Sequence, residues 1–123
     1  MPIQTYRDLE VYREAYAAAL SVSKMTKVFP RVEQVELARQ LRRSARSVPA
    51  NIVEGWAKRS SVAEFKRYLQ TGMGSCLETK MWLEMSRDEG YIPPQMYTEL
   101  TGRYERIGAM LSGLWKNWRT FAR

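Results

Sequence analysis

Apolar residues return at helical spacing four times along the chain. Val11, Ala15, Ala18, Val22, Met25 and Phe29 follow one another at alternating steps of four and three, which aligns them on one helical face. Leu9, Tyr12, Tyr16, Ala19 and Ser23 run beside them as a second stripe. Together the two stripes are wider than a single bundle core needs, so helix 1 is expected to be covered on two sides. Pro30 stops it, because its ring disfavours a helical Phe29 and it has no amide hydrogen to donate.

Helix 2 is expected from near Gln34, with Ala38, Leu41, Ala45, Val48 and Ile52 facing inward. Pro49 deprives the Ala45 carbonyl of its donor, but Ile52 and Trp56 continue the stripe, so a kink is expected there and not an end. Ser61-Val62-Ala63-Glu64 reads as a capping box opening helix 3, which should run to about Asp88 with Phe65, Leu69, Gly72 or Met73, Cys76 and Leu83 inside and Gly90 as its C-terminal cap. Gly72 and Gly74 each cost a helix interior about 1 kcal/mol relative to alanine, which points to close approach of another backbone at that turn. Pro93-Pro94 opens helix 4, where Tyr97, Leu100, Tyr104, Ile107, Leu111, Leu114, Trp118 and Phe121 keep a 3.5-residue repeat. Four helices joined by short connections predict an all-α fold, an antiparallel up-down-up-down four-helix bundle occupying residues 1–123 as one domain.

Composition narrows the chemistry. The 123 residues include one cysteine, Cys76, and no histidine, which excludes an intramolecular disulfide, a multi-thiolate metal site and an imidazole base. The start of the chain, Met1 to Asp8, lacks the basic-then-apolar build of a signal peptide, and no run approaches the ~18 apolar residues of a membrane span, so a reducing cytoplasm is the expected compartment. The net charge of +7 is unevenly distributed: residues 1–30, 31–60, 61–100 and 101–123 contribute +1, +4, −2 and +4. Such a concentrated basic field suits a polyanion or an acidic partner surface, although a solvated basic surface also serves solubility.

Arg39, Arg42, Arg43 and Arg46 fall at i, i+3, i+4 and i+7, on a face of helix 2 away from Leu41. Four guanidiniums within about 11 Å of helix axis repel one another unless anions or acidic side chains lie between them. Glu36 can neutralise only one. Bridges to acids on helix 3 or a neighbouring subunit, phosphate contacts, and an acidic partner or membrane surface all answer that need. A polar seam of Ser44, Ser47, Asn51, Glu54 and Lys58 also runs along helix 2. It reads as an interhelical hydrogen-bond network in preference to a small-ligand site, with Glu54 and Lys58 spaced to pair at i, i+4. Tyr97, Tyr104, Trp118 and Phe121 belong to the core repeat, whereas Trp115 and Tyr68 fall off it and suit either base stacking or, more economically, a subunit interface.

At these residues the chain resembles the four-helix-bundle family named for proteins encoded in intervening sequences of bacterial 23S ribosomal RNA genes. The matching stretches are Asp8-Leu9, Phe29-Pro30, Leu41-Arg42-Arg43-Ser44-Ala45 and Ser47-Val48-Pro49-Ala50-Asn51-Ile52-Val53-Glu54-Gly55, followed by Glu64-Phe65, Leu69, Gly74-Ser75 with Glu78, and Gly90-Tyr91-Ile92. Pro93 departs from the family's capping-type residue after Gly-Tyr-Ile, which alters only the start of helix 4. The resemblance implies a compact antiparallel bundle assembling into a closed homo-oligomeric ring, with a pentamer as the expected order, and it implies no activity, cofactor, metal or catalytic residue. Relatives with this fold in diversity-generating retroelements are basic accessory proteins that engage nucleic acid and a reverse transcriptase. Carried residue by residue, this makes Arg39, Arg42, Arg43, Arg46, Lys58 and Arg59 the expected nucleic-acid-binding positions. The resulting expectation is a non-enzymatic oligomer that binds RNA or DNA without strong sequence specificity and does not engage a membrane. Its rival is a protein-binding scaffold whose arginines make subunit contacts, and a carboxylate-based enzyme is a distant third.

Overall fold

The computed structural model describes residues 2–122, with side chains through Trp118, so Phe121 of the helix 4 repeat has its side chain outside the described residues. Helices are the regular elements among those residues, with no strand. A 3-10 turn, Tyr6–Asp8, precedes α1 (Glu10–Thr26), a single helical turn at Arg31–Gln34 precedes α2 (Leu37–Ala57), and α3 (Val62–Asp88) and α4 (Pro94–Ala122) complete the chain. Each of the four long helices packs on the next, and α1 also packs on α4. The stripes read from the sequence supply the shared interior: Val22 from α1, Leu41, Val48 and Ile52 from α2, Phe65, Leu69 and Leu83 from α3, and Tyr104, Ile107 and Leu111 from α4 are all enclosed.

The chain enters α1 through a capping box one turn earlier than the helix itself. Thr5 Oγ1 accepts from the Arg7 amide at 3.1 Å, while the Asp8 carboxylate accepts from the amides of Gln4 and Thr5 at 2.8 and 3.0 Å. Those amides, Gln4's first, hold the Asp8 carboxyl below the usual carboxylate range.

The first connection differs from the pattern's expectation. The apolar stripe reaches Phe29, but α1 ends at Thr26, and α2 starts at Leu37 instead of near Gln34. Gln34 caps the early end: its side-chain amide donates to the carbonyls of Thr26 at 2.8 Å and Phe29 at 3.1 Å, groups that have no amide donor from a continuing helix where α1 stops before Pro30. Phe29 remains buried as a loop residue, stacked on Tyr91 with ring centroids 5.4 Å apart.

Pro49 lies inside α2, which is continuous around it, and its ring is buried. At the next junction half of the expected capping box forms. Ser61 Oγ accepts from the Glu64 amide at 3.2 Å, but the Ser61 amide donates to the Lys58 carbonyl and the Glu64 carboxylate turns to Arg67 at 3.1 Å. Gly90, at φ +83°, caps α3 in a Schellman arrangement, its amide donating to Arg87 and that of Tyr91 donating to Ser86. Tyr91 then donates its hydroxyl to Glu33 at 2.8 Å, tying the α3–α4 connection to the α1–α2 connection.

Of the two α3 glycines expected at a close approach, only Gly72 has one. A Cβ there would sit 3.4 Å from Leu111 Cδ1 and 3.9 Å from Asn51 Cβ, whereas Gly74 faces open space. The tight contact is at Gly55 on α2, where a Cβ would lie 2.9 Å from Tyr68 Cβ and 3.2 Å from Phe65 Cδ1. Among the aromatics expected in the core, Tyr104 and Trp118 are buried, while Tyr97 is half-buried beneath the Arg87 guanidinium at 4.2 Å.

Candidate nucleic-acid interface

The helical repeat that buries Leu41 and Ala45 turns the intervening arginines outward, yet the four do not form one equivalent row. Arg39, Arg43 and Arg46 are exposed. Arg42 is half-buried and reaches back over the end of α1, donating from Nη1 to Thr26 Oγ1 at 3.0 Å and Gln34 Oε1 at 3.3 Å, and from Nη2 to the Gln34 carbonyl at 3.1 Å. Arg42 is thus an anchor between α1 and α2, which corrects its expected place beside the other three.

Among the described residues no carboxylate lies within 4.0 Å of Arg39, Arg43 or Arg46. The ion pairs among the described residues are Arg67 with Glu64, Lys80 with Glu105 and Arg87 with Asp88. The α3 acids offered by the sequence as arginine partners are mostly occupied elsewhere, with Glu78 accepting the Trp82 indole N–H at 2.9 Å. Glu36, at the start of α2, is exposed and makes no ion pair among the described residues. Three like charges therefore share one stretch of about 11 Å with water as their principal neighbour.

Lys58 and Arg59 are exposed at the far end of α2, about 28 Å along the axis from Arg39, so the fold does not bring them into the same cluster. Each covers an aromatic ring: the Lys58 ammonium lies 5.5 Å from the Tyr68 centroid and the Arg59 guanidinium 4.2 Å from that of Trp56. Trp115, like Tyr68, is half-buried and carries a cation over its ring, here Lys66 at 4.6 Å.

The polar seam divides in two. Its first half is a hydrogen-bond network between α2 and α3: Ser47 Oγ and Ser75 Oγ are 2.8 Å apart, Thr79 Oγ1 bonds the Ser75 carbonyl at 2.7 Å and lies 2.9 Å from Ser44 Oγ, and Asn51 donates to the Ser47 carbonyl at 2.8 Å. Its second half, Glu54 and Lys58, is exposed, and the expected pair between them does not form.

A groove of about 340 Å³ lies beside the arginine face. Tyr12, Tyr16, Ala19, Leu20 and Ser23 of α1 form one wall, and Arg46, Pro49, Ala50 and Val53 of α2 form the other. Most of the α1 wall comes from the second apolar stripe, of which Tyr16 is exposed, Tyr12 and Ser23 are half-buried and Ala19 is buried. Leu20, Ala50 and Val53 lie off the inward stripes, and the groove joins them to Arg46 of the basic face and Pro49 of the expected kink.

Chemistry elsewhere is sparse. Burial pushes the Cys76 thiol up to about 12, which keeps it protonated and weakly nucleophilic at neutral pH. The Tyr104 hydroxyl is likewise raised by burial and has no hydrogen-bond partner among the described residues. Among the described residues no three Asp, Glu or Cys side chains gather as a metal site, and no helix is long and apolar enough to cross a membrane.

Fold and surface together define an all-helical protein whose prominent exposed chemistry is a row of guanidiniums. The family model for the 23S rRNA-intervening sequence protein matches residues 7–113, and the chain belongs to that family. Among solved structures it is similar to a protein with unknown function from the S23 ribosomal protein family of Bacteroides thetaiotaomicron, with a TM-score of 0.79 at 24% identity over 86% of this chain and 95% of that one. At that identity the likeness establishes the shared fold. No curated protein matches the chain.

Proposed function

We propose that this protein is a non-enzymatic, ring-forming homo-oligomer that binds RNA or DNA through phosphate contacts from the exposed face of α2. The observation that carries the reading is that Arg39 and Arg43 are exposed without a carboxylate within 4.0 Å among the described residues. Arg46 stands at the edge of the row, and Lys58 and Arg59 form a separate exposed basic pair about 28 Å from Arg39 at the other end of the helix. Guanidiniums presented this way favour phosphate oxygens over bases, so binding is not sequence-selective. A five-membered ring is the expected order, and the free thiol of Cys76 suits a reducing cytoplasm.

The architecture behind this reading is one up-down-up-down antiparallel bundle, bent at Pro49 where the Ala45 carbonyl loses its amide donor. Two sets of contacts support the antiparallel course: Ser44 meets Thr79 while Ser47 meets Ser75, and Tyr91 joins the α3–α4 connection to Glu33 beside the α1–α2 connection.

Fluorescence anisotropy with labelled single-stranded RNA and duplex DNA tests the binding. Each neutralised phosphate adds about −0.9 to the slope of log affinity against log salt on a duplex, so two per chain give about −1.8, or about twelvefold between 50 and 200 mM. Arg39→Glu/Arg43→Glu should abolish that term without changing helicity or mass. Equal binding by both proteins, or no binding by wild type at low salt, would instead favour the protein-binding scaffold, for which a reverse transcriptase is the partner class suggested by related retroelement proteins. Arg46, on the rim of an apolar groove, is the observation that keeps this second reading in view.

A further inference from the structure

Two apolar surfaces of this chain are exposed and lie on different sides of it. One is the α1–α2 groove, where Tyr16 is 51% and Leu20 57% exposed and Pro49 and Val53 form the opposite wall. The other is a ridge on α3, where Leu77, Met81 and Met85 recur every fourth residue and are 67%, 42% and 43% exposed. The ridge spans about 12 Å and the α1 wall of the groove, from Tyr12 to Ser23, about 16 Å, so one accommodates the other in length. Methionine is well suited to the ridge, since its unbranched side chain adapts to an irregular groove.

Charge selects the pairing. Arg46 sits on the rim of the groove, and Glu84 stands on α3 beside Met85, one turn from Met81. Among the described residues neither has an oppositely charged group within 4.0 Å. Groove against groove offers Arg46 no carboxylate among the lining residues, and ridge against ridge offers Glu84 no cation among Leu77, Met81 and Met85. Groove against ridge brings Arg46 to Glu84.

We infer that the α1–α2 groove of one copy receives the Leu77–Met81–Met85 ridge of the next, with Arg46 facing Glu84 at the edge of the contact. This rests on the oligomeric reading above and specifies its interface. Donor and acceptor surfaces are different patches, so the contact is heterologous: each copy offers one groove and one ridge, and repetition generates a ring when the rotation closes. Arg39 and Arg43 lie outside the contact and remain available to phosphate.

A mixing experiment on the full chain tests the pairing. Leu20→Asp damages only the groove and Met81→Asp only the ridge, and both positions are exposed enough for the fold to tolerate the change. Native mass spectrometry should find wild type as a multimer and each variant alone at 14.4 kDa. Mixed in equal amounts, the two variants should form a one-to-one dimer through the single intact groove and ridge. As a second measurement, Arg46→Glu and Glu84→Arg should each lower the assembled fraction, and the double variant should restore it. A multimeric wild type whose Leu20→Asp and Met81→Asp variants assemble unchanged, or whose mixed variants remain monomeric, overturns this pairing and leaves the oligomeric reading standing. A monomeric wild type overturns both.

Discussion

Arg42 Nη1 donates to Thr26 Oγ1 at 3.0 Å, and with that contact a residue on the basic face of α2 anchors the last turn of α1. Thr26 is fully enclosed, and its carbonyl is taken by Gln34, which Arg42 also holds. Sequence spacing alone gives the four arginines one shared face. The folded chain divides them into one anchor and three solvent-facing cations.

Truncating the anchor should therefore cost stability where truncating its neighbour does not. Arg42→Ala is expected to lower unfolding free energy by about 1 to 3 kcal/mol, because it leaves Thr26 and Gln34 without a donor in a half-buried setting. Arg43→Ala, one residue on and exposed, should stay within about 0.5 kcal/mol of wild type. Urea unfolding followed by circular dichroism checks the contrast, and equal midpoints would remove Arg42 from the structural role.

The α2–α3 network makes a second contrast. Thr79 is fully enclosed, bonding the Ser75 carbonyl at 2.7 Å and lying 2.9 Å from Ser44 Oγ, so the nearly isosteric Thr79→Val should destabilise by about 1 to 2 kcal/mol. Thr71 makes a similar bond to the Arg67 carbonyl at 3.2 Å, but in solvent. Thr71→Val should change stability by less than about 0.5 kcal/mol. If both variants unfold at the wild-type denaturant concentration, the buried network contributes nothing net.

Features governed by helical period were legible in the chain. The four inward stripes, the Ser44–Ser47–Asn51 network, the Gly90 cap and the proline start of α4 all follow from spacing and local backbone chemistry. Features governed by a partner distant in sequence were not. Period gives the direction in which Arg42 leaves α2, but only the fold brings Thr26 and Gln34 under it. Likewise Phe29 keeps its buried place while leaving the helix, because Gln34 supplies the donors that allow α1 to stop early. The Glu64 side chain was free to complete a capping box and instead pairs with Arg67, one turn along the same face. For the interface, the arginine positions could be read from the sequence, whereas their lack of acidic neighbours and the groove beside Arg46 depend on how α1, α2 and α3 are arranged.

The glycines should respond to alanine in opposite directions. Gly74→Ala meets open space in the middle of α3 and is expected to stabilise by about 0.5 to 1 kcal/mol through lost unfolded-state freedom. Gly55→Ala drives a methyl to 2.9 Å from Tyr68 Cβ and 3.2 Å from Phe65, forcing α2 and α3 apart at a cost of about 1 to 3 kcal/mol. Thermal unfolding of the two variants should bracket wild type. A stabilised Gly55→Ala would mean the helices can separate there freely.

Cys76 ties stability to alkaline pH. Burial raises its thiol from an ordinary 9.0 to about 12 in the folded protein, so folding favours the protonated form. The sign follows from linkage: the contribution is complete below the unfolded value and is lost as pH rises from about 9 toward 12. Wild type should therefore lose stability over that interval faster than Cys76→Ala, whose own loss at neutral pH is a packing defect independent of pH. The same burial should make the native thiol react far more slowly with a thiol reagent at pH 8 than the urea-unfolded chain does. Denaturant midpoints for both proteins from pH 7 to 11, paired with timed alkylation read by mass spectrometry, check the two consequences together. Parallel pH profiles combined with prompt native alkylation would place the thiolate in water and not between α3 and α4.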